Sequence, residues 1–152
     1  MYSIVHYSIV VLSTMSFALE TIEYANTKPF IPPITGGKVV KVYDADTITV
    51  AAVLCNDVYR FSIRLAGIDS PEIKSRVPEI KARAIRARDA LHAKIFGKMV
   101  ELRNVGTEKY GRLLADVYTG DLHINRWLLE NGFATEYDGG TKQIPDEWSS
   151  EL

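Results

Sequence analysis

Cysteine is nearly absent from this 152-residue chain, where Cys55 stands alone. A single thiol closes no intrachain disulfide and builds no cysteine metal cluster, so neither the fold nor a ligand is held that way. Histidine is almost as scarce. His6, His92 and His123 lie too far apart to make a local pair of metal ligands, and each is read as packing or surface. There is no internal repeat and no apolar run long enough to span a bilayer. The most apolar stretch, Met1 to Ala18, is diluted by His6, Tyr7, Ser8, Ser13 and Thr14. No Lys or Arg precedes Lys28, unlike the positive start of a secretory signal, yet Ser16-Phe17-Ala18 has the small residues of a cleavage site. A cleaved signal and a retained segment both stay open. With them stay a secreted or membrane-associated location on one side and an intracellular one on the other.

A strong overall charge is also missing: the net value is −1, with 47% hydrophobic and 24% charged residues, an ordinary composition for one domain with one core. The charges are unevenly spread. Between Ile73 and Lys98, eight basic residues face only Glu79 and Asp89, so that window carries +6 and the remainder −7. A local patch of this kind attracts a polyanion even when the average does not.

Along the chain, Leu19 to Thr35, with Pro29, Pro32 and Pro33, reads as an extended lead-in. This gives an N-terminal extension over 1–35, a folded domain over 36–138 and an acidic, turn-rich tail over 139–152. From Gly36 the pattern turns to β-branched runs. Lys38 to Tyr43 and Thr47 to Leu54 are separated by the tight turn Asp44-Ala45-Asp46, and Val58 to Leu65 alternates as a third strand. After Pro78, the residues Ile80, Ala84, Ala87, Leu91 and Ile95 make one apolar helical stripe, with Gly97 as its stop. Two more strands, Lys98 to Arg103 and Arg112 to Thr119, precede a shorter helix from about His123 to Asn131 that buries Ile124, Trp127 and Leu128. The expected architecture is α+β: a five-stranded OB-fold barrel with one helix between strands three and four and another near the C-terminus.

The unusual polar residues fall in three short segments at strand ends or in loops. The central one, Arg64 to Glu72, breaks at Gly67 and crowds Asp69, Ser70 and Glu72 around Pro71. Two carboxylates and a guanidinium within nine residues make a poor core and a good holder for a hard cation beside a phosphate, which points to phosphate-ester chemistry. The others are Asp44-Ala45-Asp46-Thr47 and Lys109-Tyr110-Gly111-Arg112. Singly, each reads as a turn or surface feature.

Together, GKVVKVYDADTITV, FSIRLAGIDSPE, EKYGRLLADVY and NRWLLENGFA resemble the staphylococcal-nuclease-like (thermonuclease) family over roughly Gly37 to Tyr137. The resemblance implies the barrel described above and Ca²⁺-dependent hydrolysis of DNA or RNA, single-stranded or fraying, at the P–O5′ bond with 3′-phosphate ends. It implies Asp46 and Asp69 as calcium ligands with the Ser70 carbonyl, and Glu72 as the residue that orients or deprotonates water. Arg64 and Arg112 would grip the scissile phosphate, and Lys109 and Tyr110 the flanking one. Tyr137 is a candidate base-stacking platform, with a core tyrosine as its alternative. Ala45 stands where most relatives have glycine, so a turn needing positive φ would be strained here. No stable protein partner is implied and a monomer is expected. The rival to the enzyme is a catalytically weak or inactive OB-fold module that only binds nucleic acid; the presence of all five charged site residues favours the enzyme.

Overall fold

The computed structural model describes residues 19–140 together with Pro145 and Trp148. The possible signal segment Met1 to Ala18 and most of the tail after Gly140 therefore lie outside the described residues. The chain divides into two units, Met1–Phe30 and Ile31–Leu152. The described part of the first holds a 3-10 turn, Tyr24–Asn26, closed by Thr27, whose N–H and Oγ1 both donate to the Tyr24 carbonyl.

The described strands, and the two helices that pack with them, belong to the second unit. A meander of β1 (Gly36–Asp44), β2 (Thr47–Leu54) and β3 (Asp57–Leu65) forms where the β-branched alternation demands it. After the two-residue β4 (Ile68–Asp69) and helix α1 (Pro78–Ile95) come β5 (Met99–Thr107), β6 (Leu113–Thr119) and β7 (Leu122–His123). They complete a sheet in the order β3-β2-β1-β5-β6-β7. Parallel pairing of Ile63, Arg64 and Leu65 with Leu113, Leu114 and Ala115 closes it into a five-stranded mixed barrel. This is the OB architecture that the strand pattern predicts, with α1 in the predicted place.

The barrel encloses Val39, Ile48, Val50, Ile63, Leu65 and Val117, all essentially without solvent contact. Helix α1 covers the barrel with the predicted stripe: Ile80, Ala84, Ala87, Leu91 and Ile95 are its buried residues. Full burial of each large aliphatic side chain contributes about 1.5–3 kcal/mol. Pro78 opens the helix, its fixed φ suiting the first turn, and Gly97 takes φ 75° just past the end.

Three local features shape the end of the barrel where the polar segments gather. First, β1 carries two bulges against β2: Val39 and Lys41 pair with the adjacent Val50 and Thr49, and Val42 and Asp44 with the adjacent Ile48 and Thr47. Val40 and Tyr43 are the extra residues. Second, helix α2 (Ile124–Glu130) buries not only Ile124 and Leu128 but Asn125. The Asn125 Oδ1 accepts from Val117 N–H at 3.0 Å and its Nδ2 donates to the carbonyls of Ala66 at 2.9 Å and Ala115 at 3.2 Å. That clamp fixes the loop at Gly67, where φ is 74°. Third, β4 pairs with β8 (Thr135–Glu136), Ile68 with Glu136 and Asp69 with Thr135, and Tyr137 N–H donates to the Gly67 carbonyl at 3.0 Å.

Candidate functional site

The floor of the site is built where β1, β3 and β4 end. β3 delivers Arg64 from its paired end, the acidic turn after β1 delivers Asp46, and the loop after Gly67 delivers Asp69 and Ser70. Arg64 Nη1 donates to Asp46 Oδ2 at 2.8 Å and Nη2 donates to Asp69 Oδ1 at 3.0 Å and to the Ile68 carbonyl at 3.2 Å. One planar guanidinium therefore bridges two carboxylates from separate loops. All three are buried, Asp46 at 3% and Arg64 at 8% exposure. Such a group forms only if the rest of the barrel has already placed its parts, because an unpaired charge this deep is strongly unfavourable.

Asp46 is held further. Thr47 Oγ1 donates to its Oδ1 at 2.8 Å, and Ser70 N–H donates to its Oδ2 at 3.2 Å. Burial alone would raise the Asp46 carboxyl, but the Arg64 charge and hydrogen bonds that include those from Thr47 and Ser70 hold it below the usual carboxylate range. Its neighbour behaves oppositely. Burial, and then the Asp46 charge, push the Asp44 carboxyl up to about 7. The floor thus carries more negative charge than Arg64 alone offsets.

Above this floor opens a cleft of about 940 Å³. Glu72, Lys109, Tyr110, Arg112 and Tyr137 all line it. Arg112 arrives from the β5–β6 connection and is gripped by Glu108, its Nε and Nη2 donating to Glu108 Oε1 and Oε2 at 2.6 and 3.1 Å. Its Nη1 donates to Thr47 Oγ1 at 3.3 Å, which links it through Thr47 to Asp46. The bonds to Arg112 keep Glu108 below the ordinary carboxylate range. Tyr110 is 74% exposed, with the Lys109 ammonium 5.0 Å above its ring. Tyr137 is half-buried: the Arg64 guanidinium lies 5.6 Å over its ring and its hydroxyl donates to the Gly140 carbonyl at 2.7 Å. It is thus not a core tyrosine but a wall of the cleft beside the guanidinium.

Ala45 shows none of the strain that a glycine position would imply. Non-glycine residues with positive φ among the described residues are Cys55, Asn56 and Asn104, and the Ala45 methyl is fully buried in the core. Three cleft residues carry little signal in the sequence. Asp44 is visible as a carboxylate two before Asp46, but a turn explains it equally well. Glu108 stands four before Arg112, the spacing of an ion pair on a helix although no helix is there. Tyr43 looks like an ordinary strand aromatic until the bulges in β1 are known.

A divalent cation is the group this family resemblance implies, and the oxygen atoms present are of the type a hard cation takes. Asp44, Asp46 and Ser70 line the cleft and carry hard oxygen atoms, whereas Asp69 lines a neighbouring hollow; burial, and then the Asp46 charge, raise Asp44, and Ser70 Oγ is buried with no hydrogen-bond partner. Among the described residues no group of three or more His, Cys, Asp or Glu side chains is placed to hold a metal ion. An open site completed by water and phosphate oxygens is the form such donors allow.

A closed OB barrel with an acid-bridging arginine at the base of an open cleft lined by charges of both signs defines a class of small barrel proteins with a charged site at the strand ends. Comparison with known proteins sharpens this. The family described as staphylococcal nuclease homologue matches residues 62–149, and the chain belongs to that family. An Escherichia coli protein described as an uncharacterized endonuclease is 31% identical over 103 residues, 67% of this chain and 61% of the relative. One from Haemophilus influenzae is 32% identical over 100 residues, 66% and 51% of the two lengths. A staphylococcal-like nuclease of Arabidopsis thaliana is 32% identical over 93 residues, 60% of this chain but 27% of that protein. The chain thus spans between about a fifth and three fifths of the length of the curated relatives it matches. The family match starts at Ser62, so β1, β2 and Asp46 lie outside it.

Proposed function

We propose that this protein is a calcium-assisted phosphodiesterase that cleaves DNA or RNA in the cleft over Arg64. The observation that carries the reading is the buried Asp46–Arg64–Asp69 bridge beneath a rim that supplies Glu72, Lys109, Tyr110 and Arg112. Membership of the family, with matched relatives that include ones named nuclease or endonuclease, supports it.

The residues divide the work by their chemistry. Asp46 and Asp69, with the Ser70 carbonyl, would hold Ca²⁺, which when bound offsets charge on the phosphate. Glu72, at the exposed edge of the cleft, orients water and takes its proton as the water oxygen attacks phosphorus. The P–O5′ bond breaks, the electron pair leaves on the 5′ oxygen, and a 3′-phosphate remains. Arg64 and Arg112 carry permanent charge and forked donors suited to the charge that builds on the phosphate oxygens during attack. To do so Arg112 exchanges part of its grip on Glu108 for the phosphate. Lys109 and Tyr110 hold the next phosphate along the strand, and Tyr137 flanks the nucleotide at the floor. The open rim suits a flexible single strand better than a stiff duplex.

Release of acid-soluble nucleotide from denatured DNA tests this, with calcium and then with a chelator. Release that requires calcium supports the reading. No release in either condition, alongside retained binding of the same DNA, would instead make the protein a nucleic-acid-binding barrel.

A further inference from the structure

The cleft has an aromatic residue on a wall that the catalytic reading leaves unused. Tyr43, at the end of β1, lines the same cleft as Arg64, Arg112 and Tyr110, and 45% of it is exposed. Its position depends on the bulges in β1. In an unbroken strand, Lys41 and Tyr43 would share a face with Val39, which is fully buried in the core. The extra residue at Val40 reverses that alternation and turns both outward, while Val42 points in. The second extra residue is Tyr43 itself, beside Asp44. On this outer face the Lys41 ammonium sits 5.7 Å over the Tyr43 ring. The same pairing recurs on the β5–β6 connection, where the Lys109 ammonium lies over Tyr110. Two separate elements of one cleft therefore each present an exposed phenol ring with an ammonium beside it.

From this arrangement we propose that Lys41 and Tyr43 form a second nucleotide subsite, the ring stacking on a base and the ammonium meeting a backbone phosphate. The inference rests on the reading of the cleft as a site for single-stranded nucleic acid and extends its footprint along β1. An aromatic face accepts any base, and a lysine answers the phosphate without reading sequence, so the subsite adds affinity and length dependence but no sequence preference.

The test is fluorescence anisotropy with a labelled oligothymidylate of about ten nucleotides, a length within the usual reach of such barrels. Glu72→Gln serves as the background so that calcium is present without cleavage. Tyr43→Ala is expected to weaken binding about tenfold, and Tyr43→Phe, which keeps the ring, by no more than about twofold. Lys41→Ala lowers the slope of log affinity against log salt by about 0.7, the value for one phosphate contact to a single strand. Tyr59→Ala, an exposed tyrosine outside the cleft, leaves affinity unchanged. Unchanged affinity in Tyr43→Ala alongside weakened binding in Tyr110→Ala would overturn the subsite and leave the functional reading standing. If the unsubstituted background does not bind the oligonucleotide at all, both fall.

Discussion

Strand β2 ends in two tight turns that solve different problems. At its start, Asp44-Ala45-Asp46 turns with ordinary backbone and drives its chemistry inward: Ala45 is fully buried and Asp46 nearly so. At its end, Cys55 and Asn56 take φ of 52° and 65°, and the flanking Val53 and Val58, 69% and 64% exposed, face each other across the hairpin in water. The unusual backbone marks the turn with no visible chemistry, and the unusual burial of charge marks the other. In this barrel it is desolvated charge, not dihedral strain, that marks the candidate site.

That contrast is open to attack at several points, beginning with the largest expected effect. Arg64→Ala leaves Asp46 and Asp69 buried without their shared counter-charge, and urea unfolding near neutral pH should show a loss of about 3–5 kcal/mol. A loss under about 1 kcal/mol would mean that water already screens the floor. Asn125→Ala removes the clamp on Ala66, Ala115 and Val117, taking the side-chain partner from the Val117 N–H and the Ala66 carbonyl while the Ala115 carbonyl keeps the Ala66 N–H, so a loss of about 1–3 kcal/mol is expected by the same method. Asp44→Asn tests the charge excess by pH, with a chelator present throughout. The folded-state value of Asp44 is raised from 3.8 to about 7, so the folded state holds a proton that the unfolded chain releases. Its contribution is full below 3.8 and lost as pH rises through about 7. The variant should therefore match the wild type near pH 3.8 and melt higher above pH 7, whereas parallel melting curves would contradict the shift. Smallest of all, Cys55→Gly relieves a left-handed residue but loosens the unfolded chain, and the two effects offset to within about 0.5 kcal/mol. Its turnover should be that of the wild type in the nucleotide-release assay.

Most of the barrel was legible because its strands alternate and because α1 repeats its apolar residues at intervals that only a helix satisfies. The pieces that escaped are too short or too irregular to carry a period. The β4–β8 pair is two residues on each side, yet it sets Asp69 beside Thr135 and brings Tyr137 to the cleft. Asn125 hid because a polar residue on a helix reads as solvated, and only the backbone groups of Ala66, Ala115 and Val117 explain its burial. Tyr43 hid because bulges reset the in–out alternation that a sequence reader has to assume constant. The charged residues of the three polar segments were visible as types and spacings, and folding joins them through contacts as distant in sequence as Thr47 with Arg112. What the sequence could not show was that both arginines are already engaged by carboxylates, Arg64 by two and Arg112 by one.

The central claim is that one forked, buried guanidinium spanning Asp46 and Asp69 is the centre of phosphodiester cleavage. Arg64→Lys tests it most directly, because lysine keeps the charge but a single ammonium cannot reproduce the fork that reaches both carboxylates and a phosphate. With calcium and denatured DNA, and with folding confirmed by circular dichroism, nucleotide release should fall by about 100-fold or more. Release at the wild-type rate from the folded variant would contradict the account.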